Sequence, residues 1–377
     1  MKNAEVTEDL LLSAGEGRRK PGRLSRGFAF VRRRKSFVAG LSIVTIFYAV
    51  AVFADFLAPY DYRLQTRNEP AAPQSVIHFV DRGGGFHPRP FIYARRMVDP
   101  LERRYEENDL RPYPISFLPE GYSYKLFGLL STNRHLFGLE GGAEETHVRL
   151  LGTDSIGRDR FSRLLIASRF SLVVGPLGTL LASALGIFIG CMAGFSGRVL
   201  DSVLMRAADA MMALPGLVLV LAARAAFPDK LPPARAALLM ITIFVAVGWA
   251  EMARLTRGLV LALRQREFVL AAESIGLSKA RILFRHILPN AARPLLVQVT
   301  LMLPYFLLTE TALSFLGVGL QEPEVSWGSM LKEAGDTNLL REHPFMLLAP
   351  AAAIFVFVLG VRLLSDGLKA RGGRGSL

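Results

Sequence analysis

Few residues in this chain could do chemistry, and none of them forms a catalytic set. Glu310 is the ionisable residue deepest in an apolar stretch. A carboxylate there either faces a cavity or pathway, or is wet near the outer end of its helix. Asp209 and Arg206 stand at the start of another apolar stretch, where they could pair with each other, reach the basic segment further on, or rest at an interface. The six histidines lack ligand spacing, since His78 and His87 flank a loop-like run and His286 lies in a helical segment, so no metal is expected. Cys191 is the only cysteine and sits in an uncharged run, where it reads as a small packing residue. No Ser/His/Asp arrangement or carboxylate pair occurs in the apolar stretches, and no Gly-x-x-x-x-Gly-Lys-Ser/Thr phosphate loop occurs anywhere. The chain is therefore expected to be no enzyme and to hold no cofactor, with any ATP bound by a separate subunit.

One segment does carry a pattern with mechanical meaning. Residues 267–290 read as a helix, a break and a second helix. Gly276 can take the left-handed conformation that ends the first helix, Ser278 can cap the second, and Leu288-Pro289 is expected to stop or turn the chain. On the second helix Ala280, Leu283, Phe284, Ile287 and Leu288 share one face, with Lys279, Arg281 and Arg285 largely on the other. Such a helix can lie on anionic lipid or fill a groove on a soluble partner.

The elements that must hold this segment are written in the hydropathy. The 377 residues are 51% hydrophobic and only 20% charged, with a net charge of +13, and the mean hydropathy is +0.33. The charge is clustered, at Arg18 to Lys20, Arg32 to Lys35, Arg254 to Arg293 and Arg362 to Arg374, and each cluster flanks an apolar run. The positive-inside rule accounts for these clusters, so nucleic acid is excluded as a partner and membrane lipid is expected. Six spans of about 20 residues follow, each long enough for a ~30 Å hydrocarbon core: Phe37–Leu57, Phe170–Phe195, Ala207–Phe227 kinked at Pro215, Ala236–Met252, Pro294–Leu313 and Pro344–Leu364. In the third, Arg224 is expected to snorkel outward. Within the second span, Gly186, Gly190 and Gly194 put small residues on one face, which permits close helix approach.

These boundaries divide the chain into a cytoplasmic tail (1–36), a first transmembrane helix (37–57), an insert on the far face (58–169), a helical membrane domain (170–366) containing the cytoplasmic loop 254–293, and a cytoplasmic tail (367–377). The first apolar run begins late and follows a basic cluster, so it reads as an uncleaved span. The insert is rich in Pro, Gly and charge, yet its apolar residues, among them Phe91, Ile92, Tyr93, Phe117 and Phe127, point to a small folded unit.

The 267–290 segment resembles the signature of binding-protein-dependent ABC importer permeases, which is Glu-Ala-Ala, three residues, Gly, nine residues, then Ile-x-Leu-Pro. Ala271, Ala272, Gly276, Leu288 and Pro289 match at that spacing, while Leu270 stands in the place of the Glu and His286 in the place of the Ile. Three further stretches, Leu151 to Asp159, Ala312 to Gly319 and Ser326 to Leu331, are similar to the second (C-type) permease of dipeptide and oligopeptide importers, a group that includes nickel importers. The resemblance covers Phe28 to about Asp61 and Leu150 to about Leu368; the stretch between is longer than most members have and is similar to the branch for larger peptide-like cargo.

The resemblance implies an all-α membrane protein of the type I ABC importer permease fold with an enlarged periplasmic insert. It implies a bacterial inner-membrane location with both termini cytoplasmic, and a coupling loop (Leu270, Ala271, Ala272, Gly276, Ser278, Leu288, Pro289) that docks on an ATP-hydrolysing subunit. The implied partners are a homologous second permease, two ATP-binding cassette subunits and a periplasmic substrate-binding protein. Peptides or peptide-like solutes are the implied cargo, with nickel or another small solute as the alternative; a passive channel or membrane enzyme is the rival outside this class.

Overall fold

The computed structural model describes residues 35–100, 103–126, 128–139, 146–228, 231–333 and 344–369. The basic clusters of the two expected tails lie outside these residues, apart from Lys35, Arg362 and Lys369. Among the described residues, five helices are long and apolar enough to cross a membrane, or six if one bent pair counts as a single span. They are joined to an antiparallel β insert, so the all-helical expectation holds for the membrane part and the insert adds six strands.

The first span is α1 (Lys35–Val52), followed by the short α2 (Ala54–Leu57). The insert then forms β1 (His78–Val80), β2 (Phe86–Asp99), β3 (Arg104–Phe117), β4 (Glu120–Leu126), β5 (Leu130–Arg134) and β6 (Phe137–Leu139). Strands β1, β2, β3 and β6 make one antiparallel sheet in that order, and β4–β5 is a separate hairpin. Ile92, Leu139 and Val148 form a small core with Tyr113, Ile115 and Phe137. The insert is pinned to the end of the first span: the Leu136 N–H donates to the Phe56 carbonyl at 2.8 Å, and His135 Nδ1 lies 3.0 Å from the Asp55 carbonyl.

The long helix α3 spans Arg160–Phe195 and so begins before the expected Phe170. Its first turns are charged, so hydropathy alone assigns them to the insert, but in the structure each charge has a partner. Asp159 caps the helix by accepting the Ser162 N–H at 2.7 Å. Arg163 reaches Glu322 at 3.3 Å and Arg169 reaches Asp55 at 2.8 Å. The preceding turn, Leu151 to Asp159, is a folded knot in which the Asp154 carboxylate accepts from the Ile156 and Arg158 N–H groups and from Arg158 Nε. A side chain at Gly157 (φ 83°) would collide with the Thr66 carbonyl, so the knot requires glycine there on both counts.

Helix α4 (Arg198–Ala213) and α5 (Gly216–Ala225) meet at 87° across Leu214-Pro215. The expected third span is therefore a bent pair and not one kinked helix. Helix α6 (Pro233–Arg264) is longer than the expected fourth span at both ends. It packs along α3 on the glycine face: a Cβ at Gly186 would lie 2.5 Å from the Trp249 carbonyl oxygen, and one at Gly190 would lie 2.4 Å from that of Ala253. Both are backbone atoms, so the close approach depends on the missing side chains. Helix α7 (Glu267–Ser274) and α8 (Lys279–Ile282) make the loop, and α9 (Leu288–Phe315), α10 (Trp327–Glu333) and α11 (Phe345–Lys369) complete the chain. Trp327 is buried between α1 and α11, edge-on to Phe47 at 5.8 Å and to Phe357 at 6.4 Å.

Candidate functional site

Helix α7 ends as its sequence requires. Gly276 has φ 77°, its N–H bonds the Glu273 carbonyl, and the Leu277 N–H bonds that of Ala272. These two bonds are a Schellman closure, and no atom lies near enough to Gly276 to exclude a side chain, so backbone conformation alone demands the glycine. Ser278 then caps α8, its hydroxyl accepting the Arg281 N–H at 3.4 Å.

Leu288-Pro289 does not stop the chain. Residues Leu283–Ile287 form a π-helical turn, and the helix continues into α9 with Pro289 in its first turn. Proline lacks an N–H and its ring crowds the carbonyl four residues back; the wider turn relieves both demands without ending the helix. The second half of the loop is thereby one continuous helical run, Lys279–Phe315, with a membrane-spanning segment.

Helical phase settles which residues point inward. Val269, Ala272, Ile282 and Ile287 are buried and pack with Val260 of α6 and Cys191 of α3, the packing role expected of that cysteine. The base is tied further by Arg264, which donates to the Gly194 carbonyl at 2.9 Å and lies over the Phe195 ring. Pointing out are Leu270, Ala271, Ile275, Phe284 and the basic Lys279, Arg281 and Arg285. Phe284 was expected on the face of Leu283 and Ile287 but is 69% exposed, and Ile275, at the break, is 77% exposed. Leu270 and Phe268 are exposed as well. The loop thus shows an apolar crest with basic flanks, held on a packed floor. An exposed apolar patch of this kind is suited to a protein groove.

Glu310 is fully buried and so is not wet in this conformation, and it is absent from the lining of the four cavities of about 290–450 Å³ among the described residues. Ser171 Oγ of α3 and Ser314 Oγ of α9 donate to its two oxygens at 3.1 and 2.8 Å. Its carboxyl is a clasp between helices.

A different acid faces open space. A cavity of about 450 Å³ lies where the α4–α5 bend meets α6 and α9. Glu251 and Gln298 line it with Met211, Met212 and Tyr305, and Gln298 Nε2 donates to Glu251 Oε1 at 2.7 Å. Gly216 begins α5 beside the Tyr305 hydroxyl, the mobile tip of a half-exposed side chain. Asp209 pairs with Arg254 of α6 at 3.1 Å, the second of its expected possibilities, and Asp201 makes a two-point pair with Arg257. Arg224 does not snorkel; it is buried and donates to the Phe227 and Pro228 carbonyls at the end of its own helix. Neither Glu251 nor Asp201 stood out in the sequence, because each lies next to basic residues that mask it in a charge count. The signal for Glu251 was its position within a helix and a turn inside the first basic residue.

Comparison with known proteins agrees with this architecture. Residues 186–371 match the family model described as the binding-protein-dependent transport system inner membrane component. Residues 29–73 match the N-terminal TM domain of oligopeptide transport permease C. The six strands of the insert fall between the two matches. The oligopeptide transport system permease protein OppC of Bacillus subtilis (strain 168) is 37% identical over 221 residues, 58% of this chain and 69% of that protein. The dipeptide transport system permease protein DppC of Alkalihalophilus pseudofirmus is 36% identical over 218 residues, 58% and 69% of the two chains. The glutathione transport system permease protein GsiD of Pectobacterium atrosepticum is 36% identical over 222 residues, 58% and 70%.

Proposed function

The chain belongs to the binding-protein-dependent transport system inner membrane components, and from that premise we propose that it forms one half of the path of an ATP-driven importer of peptides. The relatives named for oligopeptide, dipeptide and glutathione transport support peptides as the cargo class. A second, homologous permease supplies the other half, and a binding protein delivers cargo on the side of the β insert. That side is the periplasm of a bacterial inner membrane, and both termini are cytoplasmic. ATP is bound and hydrolysed by two partner subunits; this chain does no bond chemistry and holds no cofactor.

The observation that carries this reading is the loop's construction. An apolar crest (Leu270, Ile275, Phe284) stands on a buried floor (Val269, Ala272, Ile282, Ile287). The helix behind the crest runs on as α9, which lines the cavity through Gln298 and Tyr305. A push on the crest by a closing ATPase pair is therefore delivered to the cavity wall through one stiff element. Alternating access follows as a shift between two arrangements of the permease pair.

Co-purification tests this directly. The detergent-solubilised chain should bring down its ATPase subunit, and the Ile275→Glu/Phe284→Glu variant should lose it while keeping the second permease. Equal recovery of the ATPase with the variant, or none with the native chain, contradicts the proposal.

A further inference from the structure

We infer that Glu251 is a specificity-determining residue of the path, a carboxylate that receives positively charged groups of the passing cargo; the inference rests on the importer reading above. The cavity at the α4–α5 bend is lined by Met211, Met212, Leu214, Leu301 and Met302, and among the described residues its one charged group is Glu251. The nearby cations are engaged elsewhere: Arg254 pairs with Asp209, and Arg257 with Asp201. Among the described residues Glu251 meets no cation; the Gln298 amide donates to one carboxylate oxygen and leaves the other to accept from cargo.

The contrast with Glu310 sharpens the assignment. Both acids lie in apolar helices, but Glu310 is buried with a serine on each oxygen, whereas Glu251 is exposed to the cavity. A carboxylate in a membrane helix is costly and is kept where it faces water or a counter-charge. Its complement here is an ammonium or guanidinium. The methionines around it are unbranched and adaptable, so they accept differing apolar side chains without selecting among them. The site as a whole suits a cargo of variable side chains among which one is cationic, which is the chemistry of a peptide bearing a lysine or arginine side chain.

The test uses the assembled importer in proteoliposomes with its binding protein. Uptake of two tripeptides is compared, Ala-Lys-Ala and the same peptide with Nε-acetyl-lysine, for the native chain, Glu251→Gln and Glu251→Asp. The native importer should prefer the cationic peptide by about fivefold, as expected for a part-solvated ion pair. Glu251→Gln should bring the ratio close to one, and Glu251→Asp should restore most of it. An unchanged ratio in Glu251→Gln overturns the inference, and so does an equal fall for both peptides with the ratio intact, which marks a structural role. Failure of the native importer to take up either peptide overturns the peptide-importer reading, and this inference falls with it.

Discussion

Ser171 Oγ donates to Glu310 Oε2 at 3.1 Å and at the same time accepts the Trp327 N–H at 3.3 Å. One hydroxyl thereby joins α3, α9 and α10, with Ser314 completing the set from the other side. Removing the hydroxyl with Ser171→Ala leaves a buried oxygen and a buried N–H short of a partner, at a cost of about 1–3 kcal/mol. Glu310→Gln keeps a polar group of the same shape and should cost less than Glu310→Leu, which strands both serines. Thermal unfolding in detergent should rank the variants in that order, and the reverse order would deny the clasp.

The contact between α3 and α6 gives a paired test. A Cβ at Gly190 meets the Ala253 carbonyl oxygen at 2.4 Å, whereas one at Gly258, in the same helix as Ala253, meets nothing within 4 Å. Gly190→Ala should therefore force the helices apart and destabilise by about 1–3 kcal/mol. Gly258→Ala should be neutral or stabilising by up to about 1 kcal/mol through helix propensity. Equal effects in a melting assay would mean that the two helices do not pack as described.

His147 makes stability depend on pH. Burial, reinforced by the Arg149 guanidinium, pushes its pKa down from 6.5 to about 4, with Glu69 pulling weakly the other way. Glu69 already accepts from Arg149 at 2.9 Å, and its 3.8 Å separation from the ring is too long for a hydrogen bond, so the neutral ring is the native form. A depressed folded-state pKa means that the unfolded chain binds the proton first. Stability from the neutral ring is complete above pH 6.5 and is lost as pH falls from there toward 4. The melting temperature of the native chain should fall more steeply between pH 7 and 5 than that of His147→Gln; parallel slopes would rule this out.

Gly276 separates backbone from packing. Nothing crowds it, so Gly276→Ala should cost only the left-handed strain, about 1–2 kcal/mol confined to the loop. Amide exchange should rise in α7 and α8 and stay unchanged in α6. Faster exchange throughout α6 would show that the loop is not the separate unit described.

What the sequence disclosed follows the range of the interactions involved. The Gly276 and Ser278 ends of the loop helices are local signals and appear in the structure as read. The Gly186, Gly190 and Gly194 face was legible because sterics on one helix suffice to define it. The strands of the insert were hidden because Pro88, Pro90, Pro112 and Pro114 lie in β2 and β3, where proline argues against a paired strand. The π-turn before Pro289 was equally hidden, since a proline signal alone does not distinguish a stop from a widened turn. The environments of Glu310 and Glu251 depend on partners from distant segments, Ser171 for one and Gln298 for the other. Hydropathy ranked Glu310 as the deeper acid, but only the packing could distinguish the clasped acid from the one facing the cavity.

If the 267–290 loop conveys the work of ATP hydrolysis to the path, the amount of peptide taken up per ATP hydrolysed reports it directly. In proteoliposomes holding the complete importer, Gly276→Pro removes the φ 77° hinge that sets α7 against α8. Insertion and assembly should persist in this variant, ATP hydrolysis should continue, and peptide taken up per ATP should fall at least tenfold. A native ratio in Gly276→Pro would contradict this role of the loop.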